Sequence, residues 1–220
     1  MHEWLLNRIF AVEMKRLYIF LMILLTSLAV VEAQEETPNA KQARRIMDTA
    51  YERVFGEQGS SLHYHVNIIG IYKTEGNICF KGKKQRFTDE RVDTWNDGVT
   101  AYMAYRKKKT IEIHHANSDK KDKYSGRFKF SLDDFTYSVS AEKEGLLLTL
   151  KQKKKAKGTI KEVKALVERR TYAPIRLRIK VAFFWTTIQV SDFHSGNIAD
   201  DIFVFPAEKY KEGWKFVDKR

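Results

Sequence analysis

The chain has 220 residues, 40 of them basic and 28 acidic, for a formal net charge of +12. With 43% hydrophobic and 13% aromatic residues it carries the apolar material for a packed core, which excludes a wholly disordered chain. Its one cysteine, Cys79, excludes an internal disulfide framework, so the fold is expected to be held by its core.

The first feature is an apolar run from Leu17 to Val31, preceded by Met14-Lys15-Arg16 and followed by Glu32-Ala33. A short basic region, a hydrophobic middle and small residues at the end are the parts of a secretory signal. The run has 15 residues, short of the ~20 that span a bilayer as a helix. Cleavage is expected after Ala33, with Met14 the more natural start and residues 1–13 an upstream extension. Residues 1–33 are then a signal peptide, and residues 34–220 a single exported domain. No Cys closes the run to take a lipid anchor. Removing residues 1–33 takes three basic and three acidic residues, so the remainder keeps its net +12. Export turns that charge away from nucleic acid and towards anionic membrane surfaces or acidic partners.

After a polar lead-in, Ala43, Ile46, Met47, Ala50 and Val54 fall on one stripe of a helix, with Arg44, Arg45, Asp48 and Glu52 facing away. Asn39 is expected to cap it and Gly56 to end it. From Leu62 the period becomes two: Tyr64, Val66 and Ile68 alternate with His63, His65 and Asn67. Turn signals then recur at Glu75-Gly76-Asn77, Asn96-Asp97-Gly98, Glu144-Gly145 and Ser195-Gly196-Asn197. Between and beyond them lie strand-like runs at 78–81, 85–88, 92–95, 99–105, 110–114, 135–141, 146–151, 160–168, 175–181, 184–193 and 202–205. This pattern predicts a mainly β fold, an antiparallel sheet or barrel of about ten strands. Residues 116–134 break the rhythm: a charged loop, then Phe128, Leu132 and Phe135 at helical spacing. They read as a covering element or as a plain edge strand.

Catalytic constellations are missing. His63 and His65 share one side of a strand, but no Cys or carboxylate at metal spacing completes a site, so no metal is expected. Ser191–Ser195 lacks the glycines of a nucleophile elbow, and no phosphate-cradling loop occurs. The chain reads as a non-enzyme with no cofactor. Two basic runs, 106–109 and 151–157, are expected at hairpin tips, as solvated charge or as a docking patch. Several strands are apolar on both sides (Val99, Ala101, Met103 and Tyr105 against Tyr102 and Ala104; Leu146, Leu147, Leu148 and Leu150). A filled core and an apolar cavity for a greasy ligand both fit that pattern.

The C-terminal third carries a resemblance. Arg169-Arg170-Thr171-Tyr172-Ala173-Pro174, Trp185-Thr186-Thr187-Ile188, Phe193 and Phe203-Val204-Phe205-Pro206 resemble the LolA-like outer-membrane lipoprotein carriers. Upstream, Thr94-Trp95-Asn96-Asp97-Gly98-Val99-Thr100 is similar to that family's strand-turn-strand, and the resemblance runs over most of residues 40–220. It implies an incomplete antiparallel β-barrel closed by a helical lid over a hydrophobic cavity. It also implies a monomeric periplasmic carrier of acylated lipoproteins, loaded by an inner-membrane lipoprotein-releasing ABC transporter and unloaded at an outer-membrane acceptor. The alternatives are a paralogue carrying another lipid, or a periplasmic lipid-sensing regulator. On this reading Ile46, Met47, Ala50 and Val54 of the helix, with Val66, Ile68, Trp95, Met103, Leu148, Leu177, Ile179 and Trp185 of the sheet, would line the cavity. One departure is Gly82, which stands where family members place a lid-latching arginine; Lys83, Lys84 and Arg86 are the nearby substitutes.

Overall fold

The structure, a computed structural model, describes residues 36–68, 72–118 and 131–220. The expected signal segment and residues 119–130 of the expected covering element lie outside them. One helix, α1 (Pro38–Phe55), precedes β1 (Ser60–Ile68), β2 (Tyr72–Lys81), β3 (Lys84–Asp89), β4 (Val92–Asn96), β5 (Thr100–Tyr105) and β6 (Thr110–His115). Then follow β7 (Phe135–Ala141), β8 (Leu146–Gln152), β9 (Ile160–Val167), β10 (Pro174–Val181), β11 (Phe184–Ser195) and β12 (Lys215–Asp218). They form one 12-stranded sheet in the order β12-β6-β5-β4-β3-β2-β1-β11-β10-β9-β8-β7. Every pairing is antiparallel except β12 on β6. Among the described residues β12 and β7 end the order without pairing to each other, so the sheet is an open barrel, as the sequence leads one to expect.

The helix forms where the 3.6-residue stripe predicts. Pro38 opens it, where a missing N–H is harmless, and Ala43, Ile46 and Ala50 are buried on one side. Gly56 ends it: its N–H reaches Glu52 O at 2.8 Å, and a Cβ there would meet that oxygen at 2.3 Å. Asn39 is not the cap. It sits inside the helix, donating from Nδ2 to Val139 O at 2.9 Å and accepting from Val139 N at 3.0 Å. An edge strand offers unpaired backbone groups, and this amide satisfies one donor and one acceptor of β7.

Two further expectations change. Glu75-Gly76-Asn77 is not a turn but the middle of β2, and Gly76 is required because a Cβ would meet Thr88 O at 2.1 Å and Tyr64 Oη at 2.8 Å. Residues 202–205 are not a strand. Asp201–Phe203 is a 3₁₀ turn that buries Phe203, and the last strand is β12 instead. Asn96-Asp97-Gly98 turns as expected, with Gly98 at φ +95° and Asp97 Oδ1 accepting from Val99 N and Thr100 N, both at 2.8 Å.

Strand pairing decides which side chains share a face. One row runs Val139–Leu148–Ala165–Leu177–Ile188–Val66, and the next runs Tyr137–Leu150–Val163–Ile179–Thr186. These rows define the inner face, on which α1 packs to form the larger core. A second core lies on the opposite face, where the chain after β11 brings Phe205, Tyr210 and Trp214 onto Trp95, Ala104 and Ile111. Phe205 stacks on Tyr102 at 4.4 Å between centroids and meets Trp95 edge-on at 5.3 Å.

Candidate ligand-binding face

Alternating apolar residues on β7 to β11 and β1 build an inner face that is greasy across its width, and α1 crosses it. At the N-terminal end the helix is fixed to β7 by Asn39, and by Arg44 to Tyr137 of β7 and to the 3₁₀ turn Leu132–Asp134 just before it. Arg44 donates to Asp133 Oδ1 at 2.8 Å and lies 5.2 Å from the Tyr137 ring centroid. At the C-terminal end Ser60 Oγ donates to Val54 O at 2.7 Å, Ser195 Oγ donates to Arg53 O at 3.1 Å, and Phe55 meets Phe80 at 4.6 Å. Between these polar ends the contact is apolar: Ala43, Ile46 and Ala50 rest on Leu148, Leu150, Val163 and Ile179.

The expected cavity residues divide by position. Ile46, Ala50, Leu148 and Ile179 are buried in the helix–sheet core, with Met47 and Leu177 half-buried at its margin. Val54 and Val66 are half-buried, and the side chain of Ile68 lies outside the described residues. Met103 is half-buried, in register with Thr94 and Glu112, in the part of the inner face formed by β4–β6. The two tryptophans do not join them. Trp95 pairs with Arg86 and Tyr102 and belongs to the opposite core, its ring 4.1 Å from the Arg86 guanidinium carbon. Trp185 pairs with Lys180 on the outer face, beside Arg178 at 4.8 Å. Alternation had two apolar faces to choose from at Trp95, and the covering segment that decides the matter lies over 100 residues later in the chain.

Ile188, Val181 and Val139 pack against the same core and were not anticipated as lining residues. Ile188 had a usable signal, since it shares a face with Thr186 and Val190, alternates with Thr187 and Gln189, and stands opposite Leu177.

Of the nearby substitutes for a latching arginine, Lys84 and Arg86 are engaged away from α1. Gly82 forms the β2–β3 turn at φ +53°. Lys81 and Lys84 bind Asp200 at 3.2 and 2.7 Å, and Lys81 donates to Ile198 O, so both fasten the C-terminal segment. Their hydrogen bonds hold the Asp200 carboxyl below its usual range. Arg86 lies on the outer face, bonded to Asp93 at 3.0 Å. The cationic tie between helix and sheet comes from the helix itself, through Arg44.

On the outer face His63 and His65 line a polar groove of about 460 Å³ with Glu75, Asn77 and Thr88. His63 Nδ1 is 3.1 Å from Asn77 Oδ1 and His65 Nδ1 is 3.4 Å from Glu75 Oε2. Among the described residues no three His, Cys, Asp or Glu side chains cluster to hold a metal.

Neither a protein-family model nor a curated protein matches the chain. Among solved structures it is similar to an uncharacterized conserved protein from Thermus thermophilus, at 9% identity over 81% of this chain and 99% of that one, with a TM-score of 0.56. The two chains share a fold. Looser neighbours include a LolA superfamily protein from Nitrosomonas europaea, at 9% identity, 75% and 98% coverage and a TM-score of 0.38. The Mycobacterium tuberculosis lipoprotein LppX is another, at 10% identity, 73% and 99% coverage and a TM-score of 0.43.

Proposed function

We propose that the protein is an exported, non-enzymatic carrier that shields the acyl chains of lipid-modified proteins between an inner and an outer membrane. The observation that carries this reading is the apolar inner face of β7–β11 and β1 under a single helix whose ends are tied by polar contacts. The order of LolA-like motifs and the export signal at residues 14–33 support it. On this reading an inner-membrane releasing transporter supplies the cargo and an outer-membrane acceptor takes it.

The energetics fit such a task. An acyl chain of ~15 carbons gains on the order of 12 kcal/mol on leaving water, at about 0.8 kcal/mol per CH₂. Lifting α1 bares Ile46, Ala43, Ala50 and part of Met47, at about 5 kcal/mol by the same accounting, and also bares the sheet residues beneath, which the entering chain covers again. A chain entering beneath the helix therefore offsets the displacement with several kcal/mol to spare. Release then needs only a competing apolar site of similar quality.

The test is a fluorescent fatty-acid titration of Leu177→Asp, chosen because Leu177 sits at the margin of the core. Affinity should fall by more than about tenfold with a smaller change in thermal midpoint. Loss of binding only in step with loss of folding would reduce the inner face to a structural core. Acylated proteins should accompany the carrier when it is purified from its own envelope, and a preparation free of them would oppose the cargo assignment.

A further inference from the structure

Phe183 is 90% exposed and Phe184 60% exposed, on and beside the two-residue turn that joins β10 to β11. Ala182 holds φ +52° in that turn. Its N–H donates to Thr159 O at 3.4 Å and Val181 pairs with Ile160, so the β8–β9 loop leads directly into the strand beside the tip. That loop carries Lys153, Lys154, Lys155 and Lys157, all exposed. On the outer face next to the tip, Trp185 has Lys164, Arg178 and Lys180 at 5.7, 4.8 and 5.8 Å from its ring centroid. The carboxylates of Glu162 and Asp133, on neighbouring elements, pair with Lys164 at 3.6 Å and Arg44 at 2.8 Å.

We infer that this hairpin tip docks the protein on an anionic lipid bilayer, with Phe183 and Phe184 entering the headgroup–acyl boundary and the lysine loop facing lipid phosphates. The lysines alone would suit an acidic protein as well. The phenylalanines decide for lipid: a bilayer offers apolar depth directly below a plane of negative charge, and the tip presents bare rings directly beside a cationic loop. Trp185, with cations around its ring, suits the same interfacial level. Strand pairing also brings Arg106–Lys109, the β5–β6 turn, to this end of the sheet. Phe184 shares a face with Val181 and Ile179 of the helix-covered core, so docking would set the edge of the apolar inner face against the membrane. The inference does not depend on that face carrying a lipid.

Vesicle co-sedimentation of the purified protein tests it. Vesicles of equal parts phosphatidylglycerol and phosphatidylcholine should bind the protein, and phosphatidylcholine alone should not. Phe183→Ser with Phe184→Ser should abolish sedimentation without moving the thermal midpoint, since both rings are exposed. Neutralising Lys154, Lys155 and Lys157 with glutamine should weaken binding by about fivefold per lysine and remove most of its salt dependence. Phe183→Trp should show a blue-shifted emission on vesicle addition, which reports insertion rather than adsorption. Equal binding to neutral vesicles, binding that survives loss of both phenylalanines, or no binding to anionic vesicles would each overturn the inference. The last would leave an acidic protein as the basic loop's partner. Fatty-acid affinity measured on the Phe183/Phe184 variant separates the two proposals: it stays intact if docking and carriage are distinct.

Discussion

If α1 is a movable cover, loosening its tie to β7 should raise ligand affinity rather than lower it. The tie has two parts. Asn39 makes two hydrogen bonds to the Val139 backbone, at 2.9 and 3.0 Å. Arg44 meets Asp133 at 2.8 Å, where the Asp133 side chain is 80% exposed. Hydrogen bonds at such an exposed site contribute about 0.5–1 kcal/mol each and an exposed ion pair about 0–1 kcal/mol. Asn39→Ala combined with Arg44→Met, which keeps the aliphatic stem over Tyr137, should therefore remove about 2 kcal/mol from the closed state. If binding requires the helix to lift, the open fraction and the apparent affinity both rise by up to about thirtyfold. The assay is a fluorescent fatty-acid titration paired with amide hydrogen exchange at Val139 and along α1. Exchange should accelerate by the same factor as affinity improves. A variant that melts lower, exchanges faster and binds fatty acid no better would refute the idea that α1 gates the inner face, and would make the helix an ordinary core layer.

Leu148 is fully buried between α1 and the sheet, so Leu148→Ala should lower stability in a denaturant melt by about 2–5 kcal/mol; a change under 1 kcal/mol would mean that the helix does not seal that site. Ala182 holds φ +52°, a conformation that costs a β-carbon about 1 kcal/mol, so Ala182→Gly should raise the melting midpoint slightly. No gain would show that the turn conformation differs. Burial raises the Glu112 pKa, but hydrogen bonds from Lys219 and His114 outweigh it and leave the group below its usual value. Its contribution is complete above the ordinary glutamate value of about 4.3 and fades as pH falls through the lower folded value. Glu112→Gln should accordingly flatten the acid limb of a stability–pH curve below about pH 4, and an unchanged slope would place the acid sensitivity elsewhere.

Much of the architecture was legible because the two periodicities are strong. The helix stripe at Ala43, Ile46 and Ala50 marks its buried side without help from context, and Leu177 and Ile179 alternate so cleanly with arginine and lysine that their shared face follows from pairing geometry alone. What failed did so for identifiable reasons. Gly76 was expected to mark a turn because glycine serves both turns and close packing, and only the position of Thr88 O distinguishes them. Asn39 was expected to cap the helix because its side chain suits a cap, yet the exposed edge of β7, 100 residues away, competes for the same hydrogen bonds. Trp95 and Trp185 were assigned inward from alternation, which separates the two faces of a strand without saying which of them is covered by the helix. β12, with the sequence Lys-Phe-Val-Asp, has too little periodicity to announce itself and is specified by its parallel partner β6.

The two cores make the cover separable from the rest of the fold. α1 seals the inner face over β7–β10, whereas Phe205, Tyr210 and Trp214 seal the opposite face over β4–β6. The C-terminal segment is held by Lys81 and Lys84 through Asp200, groups that take no part in binding α1. Lifting the helix therefore uncovers one apolar layer while Trp95, Ala104 and Ile111 stay packed on the other side of the sheet. A sheet covered on one face only would lose its single core when that cover moved, and opening would approach unfolding. If α1 lifts as proposed, the second core would let a large apolar surface be exposed and covered again while the strands keep their register, which is the property a carrier of acyl chains requires.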